Sequence, residues 1–564
     1  MQQTPEERIW LKSYDKGVPY EIECTETRPY DFLKNSAEKI PDRDALIFFN
    51  FKLKYKDLKR NVDSFASFLR SLGVGKGDRV AIDLPNCPQY IIAFYAVNKI
   101  GAVVVQISPT YFEVEINNIL SNSEPKVLII LDDLLPRISQ LKNKFPGLAI
   151  VATRIEDYLS FPLNFLYNVQ RRFKGKFVKI PGDIKKFTEF KSYAPGESEN
   201  VSDDDVAVLQ YTGGTTGIPK GAMLTNRNLV CNTTQAISVL PGMEFGKDNM
   251  LSVIPFFHVF GMTVAMNFPV KMGGTMIIQP KPEVEGIIKL IGKYKPTFFP
   301  GVPTLYANIL LSKNVNKVDM KSVKFCISGS APLPVEIIEK WQRVTGGHIV
   351  EGYGLTEASP VTHVNPLFGK IKPGSIGLPV PSTLAKIVDI TTGEKEMGIG
   401  EEGELIVKGP QVMKGYYKNE EETRNVLRDG WLYTGDIAKM DEEGYFYIVD
   451  RKKDVIIVGG FNVYPREVEE ILYQNPKVKE AAAVGVKDEI HGEVVKAFVV
   501  LKDGETATEQ EIKDFFQGKI AKFKIPRFVE FRKELPKTMV GKVLRRELRE
   551  DSSDKSGHVS ENLR

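Results

Sequence analysis

Apolar and polar positions along the first half of the chain fall into two alternating patterns. Over residues 56–72 the apolar side chains Leu58, Val62, Phe65, Ala66, Leu69 and Leu72 recur at three- and four-residue spacing, and Gly73 follows. That spacing predicts a helix with one buried face, stopped by the glycine. Residues 79–84, 102–107 and 127–131 are short runs rich in β-branched side chains, bounded by Gly, Pro or Asp, and they predict strands. Helix-like stretches such as residues 90–99 lie between them. Alternation of this kind predicts βαβ units and parallel sheets, with ligand sites beyond the strand ends. No repeat at a solenoid period is present.

Three stretches depart from the rhythm. Residues 251–270 contain no Asp, Glu, Lys or Arg and imitate a membrane span, but they carry Pro255, His258, Gly261, Asn267 and Pro269. Each proline would remove a backbone bond from so short a span, so a buried strand, loop and helix of a core is expected instead. Residues 159–182 hold five basic side chains (Arg171, Arg172, Lys174, Lys176, Lys179), no acidic ones, and apolar Phe161, Leu163, Phe165, Leu166, Tyr167 and Val169. Two readings stay open for them: a surface insertion with a solvated basic face, or a peripheral membrane contact. Residues 551–564 are polar and are expected to be a disordered tail.

Composition removes several classes of function. A length of 564 residues allows roughly three or four compact units. Lys+Arg is 76 against Asp+Glu 72, so there is no electrostatic case for nucleic-acid binding. Cys24, Cys87, Cys231 and Cys326 form no CxxC pair, and the first residues lack the basic-then-apolar order of a secretory signal. The four are therefore expected to be reduced thiols in a reducing compartment, with no disulfide framework or zinc site.

The candidate chemistry sits in glycine-rich loops. The strongest is YTGGTTGIPKG, residues 211–221, which directly follows a strand-like run at 206–209. Gly213, Gly214 and Gly217 permit a tight turn that aims backbone N–H groups at an anion. Thr212, Thr215 and Thr216 add hydroxyls and Lys220 a cation, a set suited to a polyphosphate. It is not a Walker A loop, because Ile218 and Pro219 separate Gly217 from Lys220. EGYGLTEASP, residues 351–360, offers an aromatic face at Tyr353, a hydroxyl at Thr356 and a carboxylate at Glu357 that suits Mg²⁺ among phosphate oxygens. Its Gly352-x-Gly354 lacks the third glycine of a dinucleotide fingerprint. SGSAPL, residues 328–333, follows another strand-like run. Further on come YTGD (433–436), where Asp436 suits two ribose hydroxyls, and VDRKKD (449–454), where Arg451 suits ribose or phosphate. PKTMVGKVLRREL (536–548) presents Lys542 after a glycine turn.

In this order and spacing the motifs resemble the adenylate-forming superfamily of acyl-CoA synthetases, luciferases and peptide-synthetase adenylation domains. The likeness covers about residues 30–550, and DGWLYTGDIAKMDEEGYFYIVDRKKDVIIVGGFNVYPREVEE (429–470) looks most like bacterial-type long-chain fatty acyl-CoA synthetases. The resemblance implies an α/β fold: a large N-terminal domain of packed α/β subdomains over 1–449, a small mobile α+β domain over 450–550 pivoting at Asp450, and a tail beyond. It implies a ligase that uses ATP, Mg²⁺ and CoA to convert a fatty acid, of medium to long chain, first to acyl-adenylate and then to acyl-CoA.

The same resemblance assigns roles by position. Thr212 to Lys220 would hold the ATP β- and γ-phosphates. Gly329, Ser330, Ala331, Tyr353 and Gly354 would form the adenine site, Thr356 would contact the α-phosphate and Glu357 would ligate Mg²⁺. Asp436 and Arg451 would take the ribose, Lys542 would bridge carboxylate and α-phosphate, His258 would stand beside the acyl carboxylate, and Gly460 would line the pantetheine tunnel. Relatives often carry a lysine seven residues after the hinge aspartate; this chain has Ile457 there.

Within the superfamily an amino-acid adenylation domain is disfavoured by the apolar run Val259, Phe260, Gly261, Met262, where the amine of its substrate would need an acid. An aryl-CoA ligase stays open, and a non-catalytic fatty-acid carrier is disfavoured by the joint presence of Lys542, Glu357 and Asp436. The partners expected are fatty acid, ATP and CoA, with no nucleic acid. A second copy of the chain and a membrane surface at 159–182 are left open. The expected location is cytoplasmic, with the inner face of a membrane as the variant of that reading.

Overall fold

The computed structural model describes residues 8–138, 144–212, 219–488, 491–538 and 541–556. It divides into two compact units, Met1–Leu384 with Lys408–Leu432, and Ala385–Val407 with Tyr433–Arg564.

The first unit is built on two large sheets. In one, the strand order is Gly415–Tyr416, Lys220–Thr225, Val206–Thr212, Val103–Gln106, Arg79–Asp83, Val127–Leu131, Ala149–Thr153, Lys185–Lys186. The strands from Val206–Thr212 onward run parallel, while Lys220–Thr225 returns antiparallel from Val206–Thr212. The expected strands are thus found at 79–83, 103–106 and 127–131. The helix expected at 56–72 runs Tyr55–Ser71 and buries Leu58, Val62, Phe65, Ala66 and Leu69. Parallel strands covered on both faces must be apolar throughout, and Val127–Leu131 is buried at every position.

The second sheet has nine strands in the order Leu378–Pro379, Val361–Val364, His348–Gly354, Phe325–Ser328, Phe298–Gly301, Asn249–Ser252, Thr275–Ile278, Asp44–Phe48, Phe51–Lys54. Its inner strands are parallel and its outer ones antiparallel. The uncharged stretch at 251–270 is the end of one of these strands, a loop, the π-helix Gly261–Asn267 and the short helix Phe268–Lys271, all in the core. A Cβ on Gly261 would stand 2.0 Å from the Pro255 carbonyl oxygen, so this turn admits only glycine. Among the described residues no helix is long and apolar enough to cross a membrane.

The expectation of four reduced thiols is corrected. Cys24 and Cys231 form a disulfide across 207 residues of sequence, while Cys87 and Cys326 are free and buried. Spacing cannot reveal such a pair, because tertiary packing brings the segments together. The N-terminal strap is held by Tyr14 Oη donating to the Pro379 carbonyl (2.6 Å) and Ile22 N donating to Ser382 Oγ (2.9 Å). The strap thereby reaches the helix Asn226–Ser238, on which Cys231 lies.

The second unit takes most of the strands Leu384–Val388, Gly403–Lys408, Trp431–Met440 and Phe446–Arg451. A second sheet follows, ordered Phe461–Val463, Ile456–Val458, Gly492–Leu501, Val478–Asp488, with Phe528–Phe531 also on Gly492–Leu501. The helix Pro465–Tyr473 packs Val468, Ile471 and Leu472 into the same core as Val495, Ala497 and Val499. The last helix, Arg545–Ser556, continues into the stretch read as a polar tail; residues 557–564 lie outside the described residues.

Candidate active site

In the first unit the three glycine loops emerge from the C-terminal ends of Val206–Thr212, Phe325–Ser328 and His348–Gly354, where open α/β sheets bind ligands. Thr212 and Lys220 are register partners across an antiparallel pair, so the two ends of the YTGGTTGIPKG stretch face each other on adjacent strands. Gly213, Gly214, Thr215, Thr216 and Gly217 lie outside the described residues.

Lys220 and Glu357 are joined through one side chain that sequence reasoning missed. Lys220 Nζ pairs with Glu422 at 2.7 Å and lies 5.7 Å from the centre of the Tyr416 ring. The Tyr416 hydroxyl donates to Glu357 Oε1 at 2.6 Å. Burial, and next the Glu357 charge, raise the Tyr416 hydroxyl well above the ordinary phenol range, so it stays a donor. Glu357 is further fixed through its backbone, whose carbonyl accepts from Met413 N at 2.8 Å. Its second oxygen has no hydrogen bond among the described residues, and no cluster of three or more His, Cys, Asp or Glu there would hold a metal alone. One half-buried carboxylate with an available oxygen fits Mg²⁺ brought by a polyphosphate, which is commonly held by one or two carboxylates plus phosphate oxygens. Glu357 would hold that ion.

The two loops beside it are braced together. Leu333 N, at the end of the 328–333 loop, donates to buried Glu351 at 2.9 Å. Gly329 N donates to the Gly301 carbonyl at 3.1 Å. A Cβ on Gly329 would meet the Phe260 ring at 3.3 Å, so the absent side chain is what lets the ring approach. Ser330, in the left-handed region at φ 72°, is exposed, and Ala331 is half-buried beside it. Tyr353 presents its ring edge-to-face toward buried His363, with centroids 5.9 Å apart. Burial holds His363 down to about 3, so it is a neutral wall. A Cβ on Gly354 would lie 2.0 Å from the Pro360 carbonyl, which forces glycine after the tyrosine. Thr356 opens a single 3₁₀ turn, Thr356–Ala358, that delivers Glu357.

His258 Nδ1 accepts from Phe260 N at 3.2 Å. In a neutral ring that bond puts the proton on Nε2. Of the residues after it, Val259, Phe260, Met262, Val264 and Ala265 are all buried.

In the second unit Asp436 and Arg451 are register partners on adjacent strands, and Arg451 Nε pairs with Asp436 Oδ1 at 3.1 Å. The preceding turn is tied down by buried Glu404, which accepts from Gly435 N (3.1 Å) and Lys452 Nζ (2.9 Å). Lys542 follows Gly541 at φ 78° in a turn closed by Thr538 N on the Lys542 carbonyl at 2.8 Å. The residue as a whole is exposed, yet its ammonium is crowded by protein atoms. That desolvation, followed by the charge of Arg451, lowers its pKa to about 8; Asp436 opposes and Lys453 adds to the shift.

Asp450 is buried. It accepts from Arg451 N (2.7 Å) and from Arg466 N (2.8 Å), at the start of the helix Pro465–Tyr473, and faces Arg545 at 3.7 Å. Burial raises it to about 6 against the pull of Arg545. Gly459 and Gly460 both have positive φ, between the strands Ile456–Val458 and Phe461–Val463. Ile457 is exposed next to them.

Residues 33–417 match the AMP-binding enzyme family, and residues 467–542 match the AMP-binding enzyme C-terminal domain. The chain is 46% identical to the long-chain-fatty-acid–CoA ligase of Bacillus subtilis, over 97% of this chain and 99% of that one. Among solved structures it resembles ATP-bound MatB from Rhodopseudomonas palustris, with a TM-score of 0.82 at 30% identity, over 93% of this chain and 99% of that one. It also resembles the anthranilate CoA ligase AuaEII in complex with anthranoyl-AMP, with a TM-score of 0.83 at 27% identity, over 96% of this chain and 99% of that one. The family match over residues 33–417 and the 46% identity over nearly the full length place this chain in the AMP-binding enzyme family.

Proposed function

We propose that the chain is a fatty acid–CoA ligase that works through an acyl-adenylate. A carboxylate oxygen attacks the α-phosphorus of ATP, and the bond to the pyrophosphate oxygen breaks. The CoA sulfur then attacks the acyl carbon as its proton passes to solvent, and AMP leaves with the former carboxylate oxygen. The observation that carries the reading is the Lys220–Tyr416–Glu357 chain at the loop ends, in a protein 46% identical over nearly its whole length to a fatty-acid ligase.

Each residue then has a physical task. Lys220 and the 213–217 backbone receive the β- and γ-phosphates, while Tyr353 offers a face for the adenine held between the 329–331 loop and Gly354. Asp436 accepts from ribose hydroxyls, and Arg451 orients Asp436. Thr356 donates to the α-phosphate. His258 stands beside the acyl carboxylate, and Lys542 neutralises charge that develops on carboxylate and phosphate as they meet. Glu357 would hold Mg²⁺ that arrives with the nucleotide, and that ion would add neutralisation of the phosphate oxygens. Asp450 is the pivot between the two half-reactions, and Gly460 leaves room for the pantetheine arm. With Ile457 at the usual lysine position, thioester formation relies on positioning of the thiol.

An aryl acid is the second reading, favoured by the likeness to the anthranilate ligase; the higher identity to the fatty-acid ligase and the apolar run Val259, Phe260, Gly261 and Met262 after His258 favour an aliphatic chain. The reading places the protein where ATP and CoA are abundant, in the cytoplasm, with the Cys24–Cys231 bond as the one feature of an oxidising setting. AMP formation from a panel running from acetate to oleate, with coumarate added and CoA present, tests it. Highest kcat/KM on medium- or long-chain acids is expected; preference for coumarate would replace the fatty acid by an aryl one.

A further inference from the structure

The helix Leu163–Phe173 is mounted with its polarity reversed. Its Arg171 is buried and gathers Glu156 (3.0 Å), Asp132 (2.9 Å) and Asp133 around one guanidinium, with Arg154 also on Asp132 at 2.9 Å. Asn168 adds a bond to Glu156 at 3.3 Å. These charge-assisted bonds fix the helix through its polar side. Its apolar side is left outside: Phe161 is 80% exposed, Phe165 62%, Leu166 55% and Phe173 88%. Within the helix Phe165, Leu166, half-buried Val169 and Phe173 follow helical spacing, so they form one stripe, and exposed Phe161 and Pro162 lie just before its first turn.

The surroundings extend the stripe. Ser160 and Asn50 exchange two hydrogen bonds, each 3.0 Å, which tie the segment before the helix to the turn that carries exposed Phe49. Arg172, Lys174, Lys176 and Lys179 are all exposed at its far end, and no acidic residue lies between 159 and 182.

We propose that this face docks on a bilayer containing anionic phospholipid, with the apolar stripe in the headgroup–acyl boundary and the lysines and Arg172 on phosphates. An amphipathic helix lying in an interface needs this pairing of rings and leucine with flanking cations. A second copy of the chain suits the face less well, since a two-fold contact would set Arg172, Lys174 and Lys176 near their own copies. The proposal deepens the ligase reading, on which its purpose rests: a long-chain acid is dissolved in the membrane, and the enzyme would collect it there.

Co-sedimentation of the full chain with phosphatidylcholine vesicles, with and without phosphatidylglycerol, tests the face. Binding that requires phosphatidylglycerol and weakens with salt is expected. The triple variant Phe165→Ser, Leu166→Ser, Phe173→Ser is expected to lose about tenfold or more in vesicle affinity. Lys174→Glu with Lys176→Glu and Lys179→Glu is expected to abolish the preference for anionic lipid. All six side chains are exposed, so unchanged thermal melting is expected and is measured alongside. Absence of vesicle binding by the parent protein overturns the proposal, as does equal binding by the triple variant. A parent dimer that the triple variant dissolves, without vesicle binding, overturns it in favour of a second copy. AMP formation from oleate in neutral detergent micelles should be equal in all variants. Its absence in the parent would refute the ligase reading while the vesicle result still decides the face.

Discussion

Lys220 and Lys542 both follow glycine-rich turns, and the protein holds them in opposite ways. Lys220 has a carboxylate partner, Glu422 at 2.7 Å, and lies over a tyrosine ring whose hydroxyl serves Glu357. Lys542 has no carboxylate within ion-pair distance among the described residues, and Arg451 and Lys453 press on it electrostatically. A paired lysine is held in place before any ligand comes. A lysine kept among cations is one that an incoming anion stabilises strongly, because the anion relieves the repulsion of its neighbours. One is built for standing order and the other for the moment of reaction.

The largest test of that contrast is Lys542→Ala. Acid-dependent ATP–pyrophosphate exchange is expected to lose roughly 2–4 kcal/mol of transition-state stabilisation, about 30- to 1000-fold in rate. Conversion of supplied acyl-adenylate to thioester should survive; equal loss of both steps would show that Lys542 serves no particular half-reaction. Tyr416→Phe addresses the other member of the comparison. It removes a bond to a charged carboxylate, and a fall of about tenfold in adenylation is expected, together with a higher Mg²⁺ requirement. A loss of activity with the Mg²⁺ titration unmoved would mean that Tyr416 supports the fold and not Glu357.

Asp450→Pro probes the pivot. Proline fixes φ and removes the N–H, and CoA transfer is expected to slow about tenfold while adenylation is spared. Because Asp450 also accepts from Arg466 N, the control is Asp450→Asn, which keeps an acceptor there and should transfer to CoA faster than the proline variant. The smallest effect is in pH. Lys542 is cationic below about 8 and neutral above it, so kcat/KM for adenylation should fall as pH rises through that value. Bound phosphate should move the limb of kcat to higher pH, and Lys542→Arg should remove the limb altogether, since a guanidinium stays charged. A limb that persists in the arginine variant belongs to another group.

Much of this was legible before any coordinates. The strand Val127–Leu131 and the helix over residues 55–71 are visible because burial imposes a local period. The glycine loops are visible because tight backbone approach leaves no other residue, as the 2.0 Å spaces at Gly261 and Gly354 demonstrate. Tyr416 was hidden, standing 59 residues from Glu357 in a stretch with no motif, and no spacing joins them. The Cys24–Cys231 bond was hidden for the same reason. Residues 159–182 misled in one respect: of five basic side chains read as a solvated face, Arg171 turns inward, because three carboxylates outcompete water for it.

The account's central claim is that the carboxylate oxygen itself attacks the α-phosphorus. Oleate labelled with ¹⁸O in its carboxylate, incubated with ATP, Mg²⁺ and CoA, tests it most directly by mass analysis of the products. One labelled oxygen in AMP, with the other retained in the thioester, is the predicted result; label in inorganic phosphate or pyrophosphate, with none in AMP, would contradict it.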